Sequence, residues 1–573
     1  MSDSLFDQQR ELLQKWELQK PDNFFSKNRN LQSSLFFWIG ENALLPYLNL
    51  LNKSGSEAAK TLNSLAIETN RDENLPKLKA WDSFGNSLQE IDFHPGYHEM
   101  GRRIYDSNIM AMYDQPGQDL IQLTLFYLFA QNGEGGHACP LACTAGAIQL
   151  IQKVGSADLK SRFLPKLLDP SYDTHLHASQ FLTELQGGSD VGANATVAVK
   201  DCDGSWRLHG EKWFCSVIDA GLFVLTARPN GAKSGTKGLM TFVAPRYLDD
   251  GSPNHFSIRR LKYKLGTRSM ASAEIDLNGL IAYPVGSFDD GFKNVVEIVL
   301  NTSRLYNAFA SAGLTQRAYM EAKSYAEIRS AFGKTINEFP LVQKTIAYLK
   351  AQSAAQLATS MHVAHLVQKM NTNSASDEEV WTFRFFVNAN KYWTSIHSTQ
   401  SVLKAIEVLG GNGAIEEFSV LPRLYRDSIV YESWEGSHNV LCQQVLKDMI
   451  KYQVHTHALG YFRKFLEKHS PLESQKSQLL SWLDEVEASA LKLLNFPKDV
   501  ASLAIRDWID EAMSCIQCID LLAECKFDKL DTTNSGKKEI LDYFLKQPKF
   551  SSISLNDYQR TLEENLTLSK FDF

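Results

Sequence analysis

Thr196-Val-Ala-Val-Lys-Asp-Cys-Asp-Gly-Ser-Trp-Arg-Leu-His209 reads as a β-hairpin. Two short runs of β-forming residues flank Asp203-Gly204, a strong tight-turn signal. Leu222-Phe-Val-Leu-Thr226, Leu239-Met-Thr-Phe-Val243 and Ala273-Glu-Ile-Asp-Leu277 repeat that composition. Residues 179–287 therefore read as a compact antiparallel β-domain.

The helical period holds on both sides. In residues 1–178 it is clearest over Asp119–Phe129 and Ala142–Gln152. Gly133-Glu-Gly-Gly-His-Ala-Cys-Pro140 lies between them and reads as a loop, since Gly and Pro disfavour helix interiors. Beyond Gly291, the stretches Val295–Ser330, Leu341–Met370, Asp377–Leu409 and Ser437–His455 each exceed a typical helix and favour a bundle. Residues 456–573 are helical again, with a polar loop expected over Asp531–Lys538. The expected fold class is α+β, mainly α. It comprises an N-terminal helical domain (1–178), a middle antiparallel β-domain (179–287), a helical bundle (288–455) and a C-terminal helical extension (456–573).

The chain has 573 residues, 44% hydrophobic and 22% charged, which is ordinary globular composition. A net charge of −7 argues against binding nucleic acid through bulk charge. Residues 451–573 carry 16 Lys+Arg against 19 Asp+Glu, so this region is no basic footprint either. Eight cysteines are scattered, and Cys515, Cys518 and Cys525 fall on an amphipathic helix pattern. They read as small core residues rather than metal ligands, in a reducing compartment. Met1–Arg10 lacks the layout of an export signal, and no stretch approaches the ~20 apolar residues of a membrane span. A cytoplasmic protein with no membrane span is expected.

Three motifs carry chemistry. Trp434-Glu435-Gly436-Ser437 sets a lone carboxylate between an aromatic and a glycine, after Leu409-Gly-Gly-Asn-Gly413 and Leu421-Pro-Arg-Leu-Tyr-Arg-Asp427. An apolar setting raises a carboxylate's pKa and suits it to take a proton from carbon. Thr183-Glu-Leu-Gln-Gly-Gly-Ser-Asp190 offers hydroxyls and close backbone approach, suited to a flat, phosphate-bearing cofactor. Arg329-Ser-Ala-Phe332-Gly-Lys334 places a guanidinium, a good pyrophosphate partner, after a long helix.

In this order the motifs resemble the acyl-CoA dehydrogenase family from about residue 90 to 450. The AidB-type, alkylation-response branch is the nearest match. Phe93-His-Pro-Gly-Tyr-His98, the Cys139-Pro140 pair, Gln186-Gly-Gly-Ser-Asp190 and Trp434-Glu-Gly-Ser437 are its marks. The resemblance implies FAD, with Leu182, Thr183, Gly188 and Ser189 lining the flavin. Phe214 would lie against its face with Ser216 two residues on, although other members carry Trp at the stacking position and Trp213 stands one residue earlier. It assigns Arg329 to the pyrophosphate and Phe332 to the adenosine side across a subunit interface, with Gln343 at a matching spacing. Glu407, Gly410 and Gly411 would approach another subunit's cofactor. Glu435 is the implied catalytic base, Gly436 and Arg268 would meet the thioester end, and Ser437 and Asn439 would contact the flavin. Arg268 would lower the base's pKa while burial raises it, and the sequence leaves that balance open.

The resemblance thus implies an FAD-dependent acyl-CoA dehydrogenase, with α-proton abstraction by Glu435 and hydride transfer from the β-carbon to flavin N5. It also implies a homotetramer with an unspecified electron-transfer partner. A second reading is a catalytically weak FAD protein that binds or sequesters long-chain acyl-CoA or fatty acid. A DNA-associated flavoprotein ranks third.

Overall fold

The computed structural model describes residues 4–288, 290–527, 535–546 and 555–571. It is a mainly helical α+β structure with a central sheet. The N-terminal part holds one departure from the helical reading. β1 (Lys77–Trp81) and β2 (Ser87–Asp92) pair antiparallel. Asp82 closes their turn, accepting from the Phe84 and Asn86 amides at 2.8 Å each. An Asp with Gly85-Asn86 behind it was the available signal.

The loop expected over residues 133–140 is corrected. Gly135–Val154 is one helix, with Pro140 inside it. Proline has no N–H, so the Gly136 carbonyl four residues back loses its helical donor. The Tyr97 hydroxyl donates to that carbonyl at 3.0 Å and replaces it. Glu134 caps the helix start, accepting the Gly136 amide at 2.8 Å.

The sheet contains β3 (Ala178–Phe181), β4 (Val197–Lys200), β5 (Trp206–Ser216), β6 (Leu222–Pro229), β7 (Met240–Pro245), β8 (Phe256–Leu261) and β9 (Ser272–Pro284). Pairing runs β6–β4–β5–β9–β7 and returns to β6, while β3 adds to β6 and β8 to β9. The Asp203-Gly204 turn joins β4 and β5 as an antiparallel pair, as the sequence suggested. The sheet is not wholly antiparallel, however: β3 and β4 both run parallel to β6. Side-chain period identifies a strand but carries no information on its direction. β7 is buried along its whole length, which explains its unbroken apolar run.

In the bundle, Asn301–Ile328, Pro340–Asn371 and Asp377–Leu409 are the long helices. The first is buried on nearly every face. The third starts at a capping box between Ser376 and Glu379, and its bounds match the sequence reading. Leu421–Ser433 and His438–Tyr452 complete this part. The helix expected over 437–455 stops early because Gln453 is left-handed, with φ 51°.

The C-terminal helices Val454–His469, Lys498–Glu524 and Lys537–Leu545 pack back onto the bundle, and Glu473–Leu494 packs against the first two. His362 of the bundle is held between Asp520, at 2.6 Å, and the Tyr461 hydroxyl, at 2.8 Å. Buried Glu524 accepts from Ser34 Oγ and Trp38 Nε1 at 2.9 Å each, and pairs with buried Lys537. Cys515 and Cys518 are buried in this packing. Of the expected loop over 531–538, residues 531–534 lie outside the described residues, and Lys537–Lys538 open a helix. Among the described residues no helix is long and apolar enough to cross a membrane.

Candidate active site

Glu435 sits just past the Leu421–Ser433 helix, where the Trp434 amide closes on the Val430 carbonyl at 3.0 Å. The chain then reverses hand: Glu435 takes φ 58° and Gly436 φ 104°. A glutamate in this region costs about 1–3 kcal/mol and persists only where its surroundings fix it. Two buried cations do so. Arg304 Nε donates to the Glu435 carbonyl at 3.0 Å. Lys391 Nζ donates to the Glu432 carbonyl at 2.9 Å and to the Gly436 carbonyl at 3.0 Å.

The carboxylate has its own anchor. Gln180 Nε2, on β3, donates to Glu435 Oε1 at 3.0 Å and to Ser303 Oγ at 3.1 Å. β3 leads directly into Leu182 and Thr183, so the carboxylate is tied to the strand entering the second motif. Burial pushes Glu435 up to about 7, against the pull of Arg304, Lys391 and the Gln180 bond. Burial also pushes Lys391 down to about 7 and Arg304 down to about 10, with Glu435 opposing both shifts. The two carbonyl acceptors of Lys391 favour its ammonium form as well. Cys139 and Cys143 stand side by side, Sγ to Sγ 3.8 Å, in the apolar cluster that packs against Trp434.

Thr183–Asp190 forms a tight turn pinned from below. Glu184 is buried and accepts from Lys212 Nζ at 2.7 Å and from the Ala195 amide at 2.6 Å. At Gly188 a Cβ would come within 2.5 Å of Thr183 Oγ1, so any larger residue would displace that hydroxyl. The Trp213 amide donates to the Thr183 carbonyl at 2.9 Å, joining this turn to β5. Lys212 and Cys215 point into the core across a bulge, leaving Trp213 and Phe214 outside it. Phe214 is 53% exposed, and Lys262 Nζ lies 3.6 Å from the Trp213 ring centroid and 4.8 Å from that of Phe214. Ser216 Oγ lies 3.2 Å from Ser272 Oγ, and the Leu182 carbonyl accepts from Asn194 at 2.6 Å. Among the described residues the Thr183 and Ser189 hydroxyls have no internal hydrogen-bond partner. They remain available to a ligand rich in acceptors, so this donor set fits a flavin.

A second group lies on the surface. Arg329 is exposed, and among the described residues its side chain reaches only Gln9, at 3.4 Å. Phe332 is 97% exposed and left-handed, at the tip of the hairpin of β10 (Ser330–Ala331) and β11 (Lys334–Thr335). Gln343 is buried in the first turn of the next helix, while Glu407, Gly410 and Gly411 form an exposed helix end with open space around both glycines. Asn412 ties that end to Tyr325 at 3.3 Å. Ser437 and Asn439 are exposed beside the Glu435 turn, and Gly436 is half-buried within it. Among the described residues no hydrogen bond or ion pair joins Arg329, Phe332, Gln343, Glu407, Gly410 or Gly411 to Glu435.

Arg268, expected near the base and the thioester end, follows a turn held by Asp427. Asp427 accepts the Thr267 amide at 2.6 Å and the Gly135 amide at 3.1 Å, and Thr267 turns left-handed at φ 51°. Arg268, with 14% of its side chain exposed, pairs with Asp72 at 2.7 Å. Among the described residues Arg304 and Lys391 are the cations that act on Glu435. Sequence reading missed both, along with Gln180, because each lies mid-helix or mid-strand with no motif around it. A lysine or arginine inside an otherwise buried helical face was the one available sign. A surface cleft of about 670 Å³ lined by Val154, Tyr283 and Asn294 shares no lining residue with this site. Among the described residues no group of three or more His, Cys, Asp or Glu is arranged to hold a metal ion.

Three family models match in sequence order. They are the adaptive response protein AidB N-terminal domain over residues 16–174, the acyl-CoA dehydrogenase middle domain over 179–280 and the acyl-CoA dehydrogenase C-terminal domain over 289–450. The putative acyl-CoA dehydrogenase AidB of Escherichia coli is 32% identical over 404 residues, covering 68% of this chain and 72% of that protein. The solved apo form of Bd2924 is 29% identical with a TM-score of 0.80, over 88% of this chain and 98% of the other. Caenorhabditis elegans ACDH-11, solved in complex with C11-CoA, shares the fold at a TM-score of 0.80 and 23% identity, over 94% of each chain.

Proposed function

The chain belongs to the acyl-CoA dehydrogenase family, and from that premise we propose that it oxidises the α,β bond of an acyl-CoA with Glu435 as base. The observation carrying this reading is the 3.0 Å Gln180–Glu435 hydrogen bond. It holds a partly buried carboxylate beside the strand that enters the Thr183–Asp190 turn. FAD is the family's cofactor, and when bound it supplies the acceptor for the β-hydrogen and its electron pair.

Leu182, Thr183, Gly188 and Ser189 would hold its ring, with Phe214, Ser216, Ser437 and Asn439 around it. Arg329, Phe332, Gln343, Glu407, Gly410 and Gly411 would meet the cofactor of a second subunit. The exposure of Arg329, Phe332, Glu407, Gly410 and Gly411 supports a homo-oligomer, a tetramer in this reading.

Glu435 takes the α-proton. The Cα–H electron pair moves toward the thioester carbonyl, and the proton passes to a carboxylate oxygen. Charge then grows on the carbonyl oxygen, to which the Glu435 amide would donate. Trp434 and the Cys139/Cys143 cluster would present an apolar surface beside the carboxylate. Glu435 acts only when ionised, so burial and the two cations together set the working pH.

The test is anaerobic titration of the FAD-loaded protein with straight- and branched-chain acyl-CoAs. The wild type should lose its flavin absorbance, and Glu435→Gln should bind FAD without losing it. Acyl-CoA binding without bleaching across the panel would refute a dehydrogenase and leave a carrier.

A further inference from the structure

Lys391 lies in the middle of the Asp377–Leu409 helix, with no exposed surface. Burying an ammonium is costly unless it is paired. Among the described residues no carboxylate is in ion-pair contact with Lys391, and its ammonium donates to two carbonyls, those of Glu432 and Gly436. These carbonyls bracket Glu435. Glu432 is in the last turn of the Leu421–Ser433 helix, where the carbonyl end of the helix attracts a cation. Gly436 is the residue after the left-handed Glu435. Because each peptide unit is planar and trans, a carbonyl held on one side turns its amide to the other. Lys391 at Gly436 and Arg304 at Glu435 therefore turn the Ser437 and Gly436 amides away from the two cations.

We propose that Lys391 is a positioning residue for Glu435: it fixes the turn through the Glu432 and Gly436 carbonyls, and its ammonium group presents a cation to the carboxylate between them. This rests on the reading of Glu435 as base. Glu435 faces Arg304 from the Asn301–Ile328 helix, Lys391 from the Asp377–Leu409 helix and Cys143 from the Gly135–Val154 helix. Lys391 faces Glu435, Arg304 and Glu432, and Glu432 is itself bonded to His438 at 2.9 Å. Arg304 also feels Asp448. Removing the Lys391 charge withdraws one of the two cations from Glu435 and leaves burial less opposed.

The experiment compares Lys391→Met, Lys391→Gln and Lys391→Arg as FAD-loaded proteins. The Glu435 carboxyl band is followed by infrared difference against Glu435→Gln from pH 5 to 9, and kcat/KM is measured over the same range. The Met and Gln variants should move the carboxyl midpoint up by about one pH unit. Their kcat/KM deficit should be about tenfold below the midpoint and should narrow as pH rises, since ionisation recovers. Arg should restore the midpoint. Gln keeps a donor for the carbonyls, so it serves where Met does not fold. A midpoint unchanged in a folded, FAD-binding Met or Gln variant overturns the proposal, as does a deficit that is equal at every pH. The infrared arm needs no substrate. A midpoint shift in a protein that never bleaches would keep Lys391's role and reject the dehydrogenase.

Discussion

Glu435 is held by opposing forces, and the resulting protonation behaviour is measurable. Burial lifts it to about 7 while Arg304 and Lys391 oppose the shift. The first prediction is a kcat/KM that rises with pH through about 7, because only the ionised carboxylate accepts a proton. The second concerns stability. The folded-state pKa of about 7 lies above the ordinary 4.5, so the folded chain binds more protons between those values and loses stability as pH rises across them. Gln cannot titrate, so the Tm of Glu435→Gln should gain on that of the wild type from pH 5 to pH 8, by calorimetry. A gap independent of pH would contradict a raised pKa. Glu435 itself was legible in the sequence because aromatic, acid and glycine fall together. Its neighbours were not, since Gln180 and Arg304 lie 255 and 131 residues away in the chain.

At the level of elements, the informative case is the Gly135–Val154 helix. Pro140 should have ended it, and Tyr97 supplies the missing donor from a different helix, Pro95–Tyr105. Tyr97→Phe leaves a buried carbonyl unpaired and should cost about 1–3 kcal/mol in urea unfolding. An unchanged midpoint would mean that the carbonyl finds another donor. The elements that were legible carry their instructions locally. Asp377–Leu409 has its capping box, and β4 and β5 have Asp203-Gly204 between them. The parallel pairs β3–β6 and β4–β6, and the β1–β2 hairpin, depend on which strand meets which or on a weak turn signal. The helical register around them gives no warning of either.

For the molecule as a whole, the C-terminal helices are part of the core rather than an appendage. His362 depends on Asp520 and Tyr461, and the Tyr319 hydroxyl donates to the Phe571 carbonyl at 2.9 Å. A chain cut after residue 455 should be insoluble or molten, by near-UV dichroism and gel filtration; a cooperative, FAD-binding fragment would refute this. Lys537→Met should cost about 3–5 kcal/mol, because it strands Glu524 as a buried charge. That long helices continue past 456 was legible in their period. Which partners they seek was not, since period marks a buried face without naming its neighbour.

The Glu524 junction also bears on biosynthesis. Ser34 and Trp38 emerge from the ribosome 490 and 486 residues before the carboxylate that satisfies them. At about 5–20 residues per second, that is a delay of roughly 25–100 seconds. Throughout it the nascent Arg29–Ile39 helix carries an indole destined for a partner not yet made. Locking of this junction therefore waits until the Lys498–Glu524 helix has been made, and the growing chain is a natural client for a holding chaperone until then.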